Sequence, residues 1–314
     1  MNVSAGAGAD RVDVVVVGAG PAGLAAALAI ARGRRSVVVL DAARPRNAAT
    51  LSAHGFLSRD GVSPLELRKL GVEELARYGV AVERTRVTSI SPLERAAGAT
   101  RFEVQAEAPG SGLATEWVAD AVVIATGLIE ELPALPTLRA FYGTSLHSCV
   151  ECDGWEKRDA PLALIGESDD LAERARFLAN WSDDLIVFTN GLGVVSDAEE
   201  RELAARGIRV EQRAIADIAG TGPEGMTGVV LEDGEVVPRS AGFVRPGWTP
   251  ALAFAEPLGL ATTPEGWVAT DAAGRASVPG IYAAGDAALG PQQLLIAAGD
   301  GARVAGTVIR DTLG

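Results

Sequence analysis

The sequence predicts an α/β chain of two three-layer βαβ domains, the first discontinuous, with a small antiparallel β-meander. Three features carry this. The β-branched run Val12–Val17 leads into Gly18-Ala19-Gly20-Pro21-Ala22-Gly23 and an Ala/Leu-rich stretch to about Ile30. Residues 160–165, 170–180 and 185–188 repeat the strand–helix–strand order. Ile281–Ala284 then reads as a further buried strand in the C-terminal part of the split domain. Parallel strands buried on both faces appear as continuous apolar runs bounded by turn residues. Both domains are therefore Rossmann-like, dinucleotide-binding frames. Residues 1–127 with 243–314 form the first and 128–242 the second.

Taken in order, Gly18 permits a tight turn, Gly20 lets a diphosphate approach the backbone, and Gly23 lets the helix pack on the strand. A second strand, Ser36–Leu40, ends at Asp41, whose carboxylate is placed to accept from a ribose hydroxyl. In Arg32-Gly33-Arg34-Arg35 the cations complement a helix C-terminus and Gly33 suits its cap. Residues 44–61 fit a segment lying along a cofactor and an ordinary polar loop equally well. Ser63-Pro64-Leu65-Glu66 supplies an N-cap, a first-turn proline and a capping-box glutamate. Period-two alternation from Val80 to Val118, broken by a loop at 109–112, predicts the meander. Asp120–Gly127 reads as another buried strand and Leu132–Pro136 as a linker.

The second βαβ unit keeps only the first glycine of its turn, Gly166-Glu167-Ser168-Asp169-Asp170-Leu171. Side chains stand where backbone would close on a diphosphate, and three carboxylates add repulsion. Thr189-Asn190-Gly191 offers no arginine for a 2′-phosphate. This unit has the frame of a dinucleotide domain without its chemistry. Residues 207–240 read as short strands and turns, and Val244–Trp248 as a return crossing. Ile281–Asp286 runs into a Gly-Asp turn, and Pro291-Gln292-Gln293 opens the last helix.

The 314 residues suffice for two cores. A net charge of −13 and a pI near 4.7 argue against binding a phosphate backbone. No apolar run approaches the ~20 residues that span a bilayer. Residues 1–10 lack the pattern of a signal peptide and read as a loose tail. The expected location is cytoplasmic, with no nucleic-acid or membrane partner.

Chemistry centres on His147-Ser148-Cys149-Val150-Glu151-Cys152-Asp153-Gly154-Trp155, which holds the only two cysteines. Thiols three positions apart close and reopen a small disulfide ring with little backbone movement. At a helix start, N–H groups and the helix dipole favour a thiolate, and Asp153 is placed to move protons for sulfur. A structural disulfide and a zinc site drawing on His54 and His147 are the other readings. The zinc spacing matches no common finger, and without a secretion signal there is little reason for a permanent staple. The pair reads as a redox centre, with no metal expected.

Gly18–Gly23, Ile124-Ala125-Thr126-Gly127, Cys149–Gly154 and Val278–Asp286 together resemble the low-molecular-weight thioredoxin reductase family of flavoproteins, over nearly the full chain. The resemblance implies FAD in the discontinuous domain. Its contacts would be Gly18, Gly20, Pro21, Ala22, Gly23, Asp41, Ala125, Thr126, Gly127, Gly285 and Gln292, with Asp286 near the ribityl chain and Gln293 near the isoalloxazine. It implies that Cys152 faces the flavin C4a position, that Cys149 exchanges with substrate, that Asp153 is the acid/base, and that the protein is a homodimer.

Two features depart from the family. Its nicotinamide site is missing at 166–171 and 189–191. Gly154–Asp159 and residues 54–61 look like the branch containing dithiol oxidases of disulfide natural products, in which dioxygen reoxidises the flavin. That branch usually carries His after the second cysteine, where this chain has Asp153, as in the reductases. The expected function is FAD-dependent oxidation of a small-molecule dithiol through Cys149 and Cys152, with dioxygen as acceptor. The alternatives are reduction of a thioredoxin-like protein, fed by NADPH or a reduced electron-carrier protein, and a non-catalytic flavin redox sensor.

Overall fold

The computed structural model describes residues 9–94, 100–110, 112–222 and 224–313. Most of the expected tail at 1–10, and Ser111 of the expected loop at 109–112, lie outside the described residues. The chain forms two compact units. Met1–Arg46, Gly55–Ile129 and Thr249–Gly314 make the first, and Asn47–His54 with Glu130–Trp248 the second.

The first unit opens with β1 (Asp10–Val17), α1 (Pro21–Arg32), β2 (Val37–Asp41), α2 (Pro64–Ala76) and β3 (Ala81–Arg84). It continues through β4 (Arg86–Glu94), β5 (Thr100–Glu107) and β6 (Ala114–Ile124). The chain leaves through β7 (Leu128–Glu131). The second unit holds α3 (Leu138–Phe141), β8 (Leu146–His147), α4 (Val150–Asp153), β9 (Leu162–Ile165), α5 (Leu171–Leu178) and β10 (Leu185–Phe188). After them come α6 (Asp197–Ala205), β11 (Arg209–Glu211), β12 (Ile215–Thr221), β13 (Gly225–Leu231), β14 (Val236–Pro238) and β15 (Ala241–Val244). The return runs through β16 (Gly247–Pro250), and β17 (Ile281–Ala283), α7 (Asp286–Leu289) and α8 (Leu294–Asp311) complete the first unit.

In the first unit the sheet order is β3-β2-β1-β6-β5-β4, with β17 also on β6. The period of two along β1 feeds two cores. Val14 and Val16 pack with residues of α1 and α8, while Val15 and Val17 pack with Ile90, Phe102 and Val104 of the meander. The meander is smaller than the alternation predicts, because β3 lies parallel to β2. The strand expected to begin at Asp120 is the second half of β6. This strand keeps β1 on one side from Trp117 to Ile124, but on the other it changes partner from β5 at Ala114–Ala119 to β17 at Val122–Ile124. Its first half therefore alternates and its second half is buried on both faces, so one strand has two sequence signatures. Ser63 caps α2 as expected, accepting from Glu66 N–H at 3.1 Å. On α8, a Cβ at Gly301 would lie 2.0 Å from the Ala22 carbonyl oxygen, so only glycine lets α8 reach the backbone of α1.

The second unit is a parallel sheet in the order β11-β10-β9-β15-β8, plus the antiparallel group β12-β13-β14. Here Ala163 and Ile165 face one core, and Leu162 and Leu164 the other. Because Ala241–Val244 pairs with Leu162–Ile165, this unit runs to Trp248, past the return expected at 243. Edge strand β8 ends at His147, which delivers the chain directly to the cysteine motif. Among the described residues, no helix is long and apolar enough to cross a membrane.

Candidate active site

The cysteine motif is built on one turn of helix. Cys149 is the N-cap of α4, Cys152 lies within it, and their sulfurs are bonded with Cα atoms 5.2 Å apart. Asp153 N–H donates to the Cys149 carbonyl at 3.2 Å and Gly154 N–H to Val150 at 2.7 Å. The buried Val150 anchors the turn in the core. Gly154 lies so close to Trp181 that a Cβ would stand 3.0 Å from the indole ring. A single four-residue turn has little macrodipole, so the thiolate stabilisation expected from a helix start is weak here. Both cysteines are half-buried, whereas His147 and Asp153 are buried.

Two polar groups brace this turn. His147 Nδ1 stands 3.0 Å from Asp153 Oδ1, without the alignment of a hydrogen bond. The other ring nitrogen, Nε2, is 2.9 Å from the Thr144 carbonyl oxygen, which also accepts from Lys157 Nζ at 2.7 Å. Before Cys149, the Tyr142 hydroxyl lies 2.5 Å from Glu130 Oε1 and 2.7 Å from Ser148 Oγ. His54, the zinc alternative's other histidine, lies 3.7 Å from Glu156.

The first unit presents a cradle at the N-terminus of α1. Gly18 has φ +105, and a Cβ there would stand 2.4 Å from the Ala125 carbonyl oxygen. At Gly20, by contrast, a Cβ would meet nothing within 4 Å. The first turn begins with Pro21 and carries no side-chain cap. Asp41 accepts from Ala19 N–H at 3.0 Å, from Ala43 N–H at 3.1 Å and from Arg68 at 2.5 Å. The Thr126 hydroxyl is buried without a hydrogen-bond partner. Gly285 packs beside Ala22, and its N–H donates to Asp300 at 2.8 Å. Asp286 pairs with Arg46 at 2.8 Å and accepts from Gln292 N–H at 3.1 Å, while Gln293 is the N-cap of α8. An open helix end, an unsatisfied hydroxyl and a buried carboxylate fit the diphosphate and polyol of FAD.

The corresponding corner of the second unit is filled. Asp170, the N-cap of α5, accepts from Ser168 at 2.5 Å, Arg174 at 2.9 Å and Arg245 at 2.8 Å. Burial pushes its carboxyl up, but the hydrogen bonds from Ser168, Arg174 and Arg245 more than offset this and hold it below the usual range. Asn190 donates to Glu167 at 2.7 Å and accepts from Ile215 N–H at 2.8 Å. The sequence reading of three repulsive carboxylates is corrected here, because Asp170 is paired with arginines. The obstacle to a diphosphate is occupation of the site more than net charge. The residues present do not fit a nicotinamide dinucleotide.

Gly18, Gly20, Pro21, Ala22, Gly23, Asp41, Ala125, Thr126, Gly127, Gly285, Asp286, Gln292 and Gln293 all belong to the first unit. Cys149, Cys152 and Asp153 lie in the second. Sequence reasoning missed Arg46, Arg68, Asp300 and the His147–Asp153 contact. Arg46 and Asp286 are 240 positions apart, beyond any local spacing rule.

The profile of the pyridine nucleotide-disulphide oxidoreductase family matches residues 12–301. A probable thioredoxin reductase of Arthroderma benhamiae is 33% identical over 182 residues, which is 58% of this chain and only 44% of that protein. Thioredoxin reductase sirT of Leptosphaeria maculans is 30% identical over 92% of this chain and 90% of its own length. The crystal structure of TrxB from Bacillus anthracis superposes with a TM-score of 0.87 at 35% identity, covering 96% of this chain and 98% of that one.

Asp286 gives a prediction with a definite sign. Burial pushes its carboxyl up, and the nearby Arg46 guanidinium offsets this only in part. A folded-state value above the unfolded one means that the carboxylate costs stability at neutral pH. That cost fades as pH falls through the folded value toward the ordinary 3.8. Asp286→Asn should therefore raise the Tm of the flavin-free protein at pH 7, with the gain shrinking in acid. Calorimetry showing a lower Tm at pH 7 would contradict this.

Proposed function

Because this chain belongs to the pyridine nucleotide-disulphide oxidoreductase family and is thioredoxin reductase-like along its length, we propose that it is a FAD-dependent enzyme exchanging disulfide with its substrate through Cys149 and Cys152. The observation that carries this is the half-buried Cys149–Cys152 bond beside the buried pair His147–Asp153. In the oxidising direction, a substrate thiolate attacks Cys149 Sγ, and the bond to Cys152 breaks with its electron pair left on Cys152 Sγ. Asp153 is the proton donor and acceptor for these sulfurs. The second substrate thiolate then displaces Cys149. The substrate leaves as a disulfide, and both electrons stay in the enzyme dithiol. In the reducing direction each step reverses. When bound, FAD supplies the two-electron partner of that dithiol. Gly20 would leave room for its diphosphate, Thr126 would offer a hydroxyl, and Asp286 would accept from the polyol. On the same reading the first unit is the FAD domain and the protein acts as a homodimer.

Relatives named as thioredoxin reductases support a thioredoxin-like partner and the reducing direction. A second reading, oxidation of a small dithiol with dioxygen as acceptor, is favoured by the filled corner at Asp170. Freeing a part-exposed carboxylate from two arginines costs about 1 kcal/mol each, and ~1.4 kcal/mol is a tenfold loss of affinity. Both readings therefore take their electrons from a thiol or a carrier protein rather than from a nicotinamide bound at that corner.

A Cβ at Gly20 meets nothing within 4 Å, so Gly20→Val should still fold and should lose its flavin on purification. Full FAD content in this variant would refute the cradle assignment. Anaerobic mixing of the FAD-bound protein with a small dithiol should bleach the yellow flavin, and NADPH or NADH should leave it oxidised over seconds. Rapid bleaching by NADPH would overturn the account of the second unit. Recovery in air with release of hydrogen peroxide would select the oxidase reading, and very slow recovery a protein partner.

A further inference from the structure

We propose that His147 and Asp153 form a single proton-holding unit, in which His147 is a positioning residue that keeps one proton available to Asp153 during disulfide exchange. This deepens the reading of Cys149–Cys152 as the exchange site and does not depend on the direction of electron flow.

The Thr144 carbonyl sets the tautomer of His147. A carbonyl oxygen only accepts, so His147 Nε2, 2.9 Å away, carries a hydrogen whatever the charge of the ring. Lys157 Nζ binds the same oxygen at 2.7 Å and fixes it in place. A neutral ring then leaves Nδ1, without a hydrogen, 3.0 Å from Asp153 Oδ1. Both side chains are largely shielded from water, with 7% and 12% of their surfaces exposed. Two proton-free acceptors this close on shielded groups repel, and a single added proton makes the contact attractive. In this proposal the proton sits on Nδ1 and the pair is held by attraction between charges, since the contact lacks the alignment of a hydrogen bond.

The surroundings are consistent with one positive charge and no more. From the turn after α4, Lys157 opposes a second proton. From β15 the neighbour is the apolar ring of Phe243, 6.2 Å away. On α4, Glu151 is directed to Cys149 Sγ at 3.9 Å. In the exchange step, the attacking thiol gives its proton to the pair and the departing Cys152 sulfur takes one from it. One sulfur–sulfur bond breaks, one forms, and no net proton is consumed.

The test uses His147→Gln, whose amide N–H can still reach the Thr144 carbonyl but cannot titrate. Reduction of Cys149–Cys152 by dithiothreitol, without air, is followed as alkylated thiols across pH and expressed per thiolate of the reagent. The wild-type rate should fall as the pair loses its proton on the alkaline side. The variant should lack that limb and be slower by about 10²-fold near neutrality. Independently, ¹⁵N NMR at pH 7 should show both His147 ring nitrogens protonated, and Asp153→Asn should return the ring to neutral with hydrogen on Nε2. A neutral wild-type ring, or an unchanged pH profile in His147→Gln, overturns the proposal. Failure of dithiothreitol to reduce the wild-type pair would instead sink the exchange reading, and the NMR result would still decide the proton's place.

Discussion

The first turn of a helix exposes N–H groups that require an acceptor, and neither α1 nor α5 caps them with a side chain, yet the two helix ends have different surroundings. At α1 the chain supplies glycine, proline and alanine, so the helix end stays open to a ligand anion. At α5 the N-cap is Asp170, whose carboxylate caps no first-turn N–H but is held beside the helix end by Ser168, Arg174 and Arg245. The two frames share a strand–helix–strand plan, and what occupies the first turn separates their chemistry. Every other feature of the cofactor account follows from this difference. The carboxylates around α1 are spent on holding loops, Asp41 on Ala19 and Asp300 on Gly285, which leaves the helix end itself clear.

The redox turn shows a related economy. One turn of helix is too short to stabilise a thiolate through its dipole, so proton control falls to side chains. Two of these approach from opposite ends of the motif. Ser148 is tied back through Tyr142 to Glu130, and Asp153 is tied to His147. The mobile chemistry of the cysteines is thereby set between fixed polar anchors, while Val150 and Gly154 fasten the backbone to the core and to Trp181.

Much of this was legible in the residues. The glycine pattern after Val12–Val17 and the spacing of Cys149 and Cys152 announce themselves because each is a local rule with a local cause. β6 was read as two elements because its neighbour changes from β5 to β17 midway, and a change of partner is invisible in one strand's sequence. The charges of the second phosphate loop were visible, but the pairing of Asp170 with Arg245, 75 positions away, was not. His147 and Asp153 are six positions apart, matching neither a helical nor a strand spacing. Their contact arises only because a strand end, a turn and one helical turn fold back on themselves.

The central claim is the proposed division of roles, in which Cys149 exchanges with the substrate and Cys152 exchanges electrons with FAD when it is bound. Absorption spectra of the FAD-bound Cys149→Ser and Cys152→Ser variants test it most directly. With Cys149 replaced, the free Cys152 thiolate should donate charge to oxidised flavin and add a long-wavelength shoulder, which Cys152→Ser should lack. A shoulder in Cys152→Ser alone would contradict the claim and exchange the two roles.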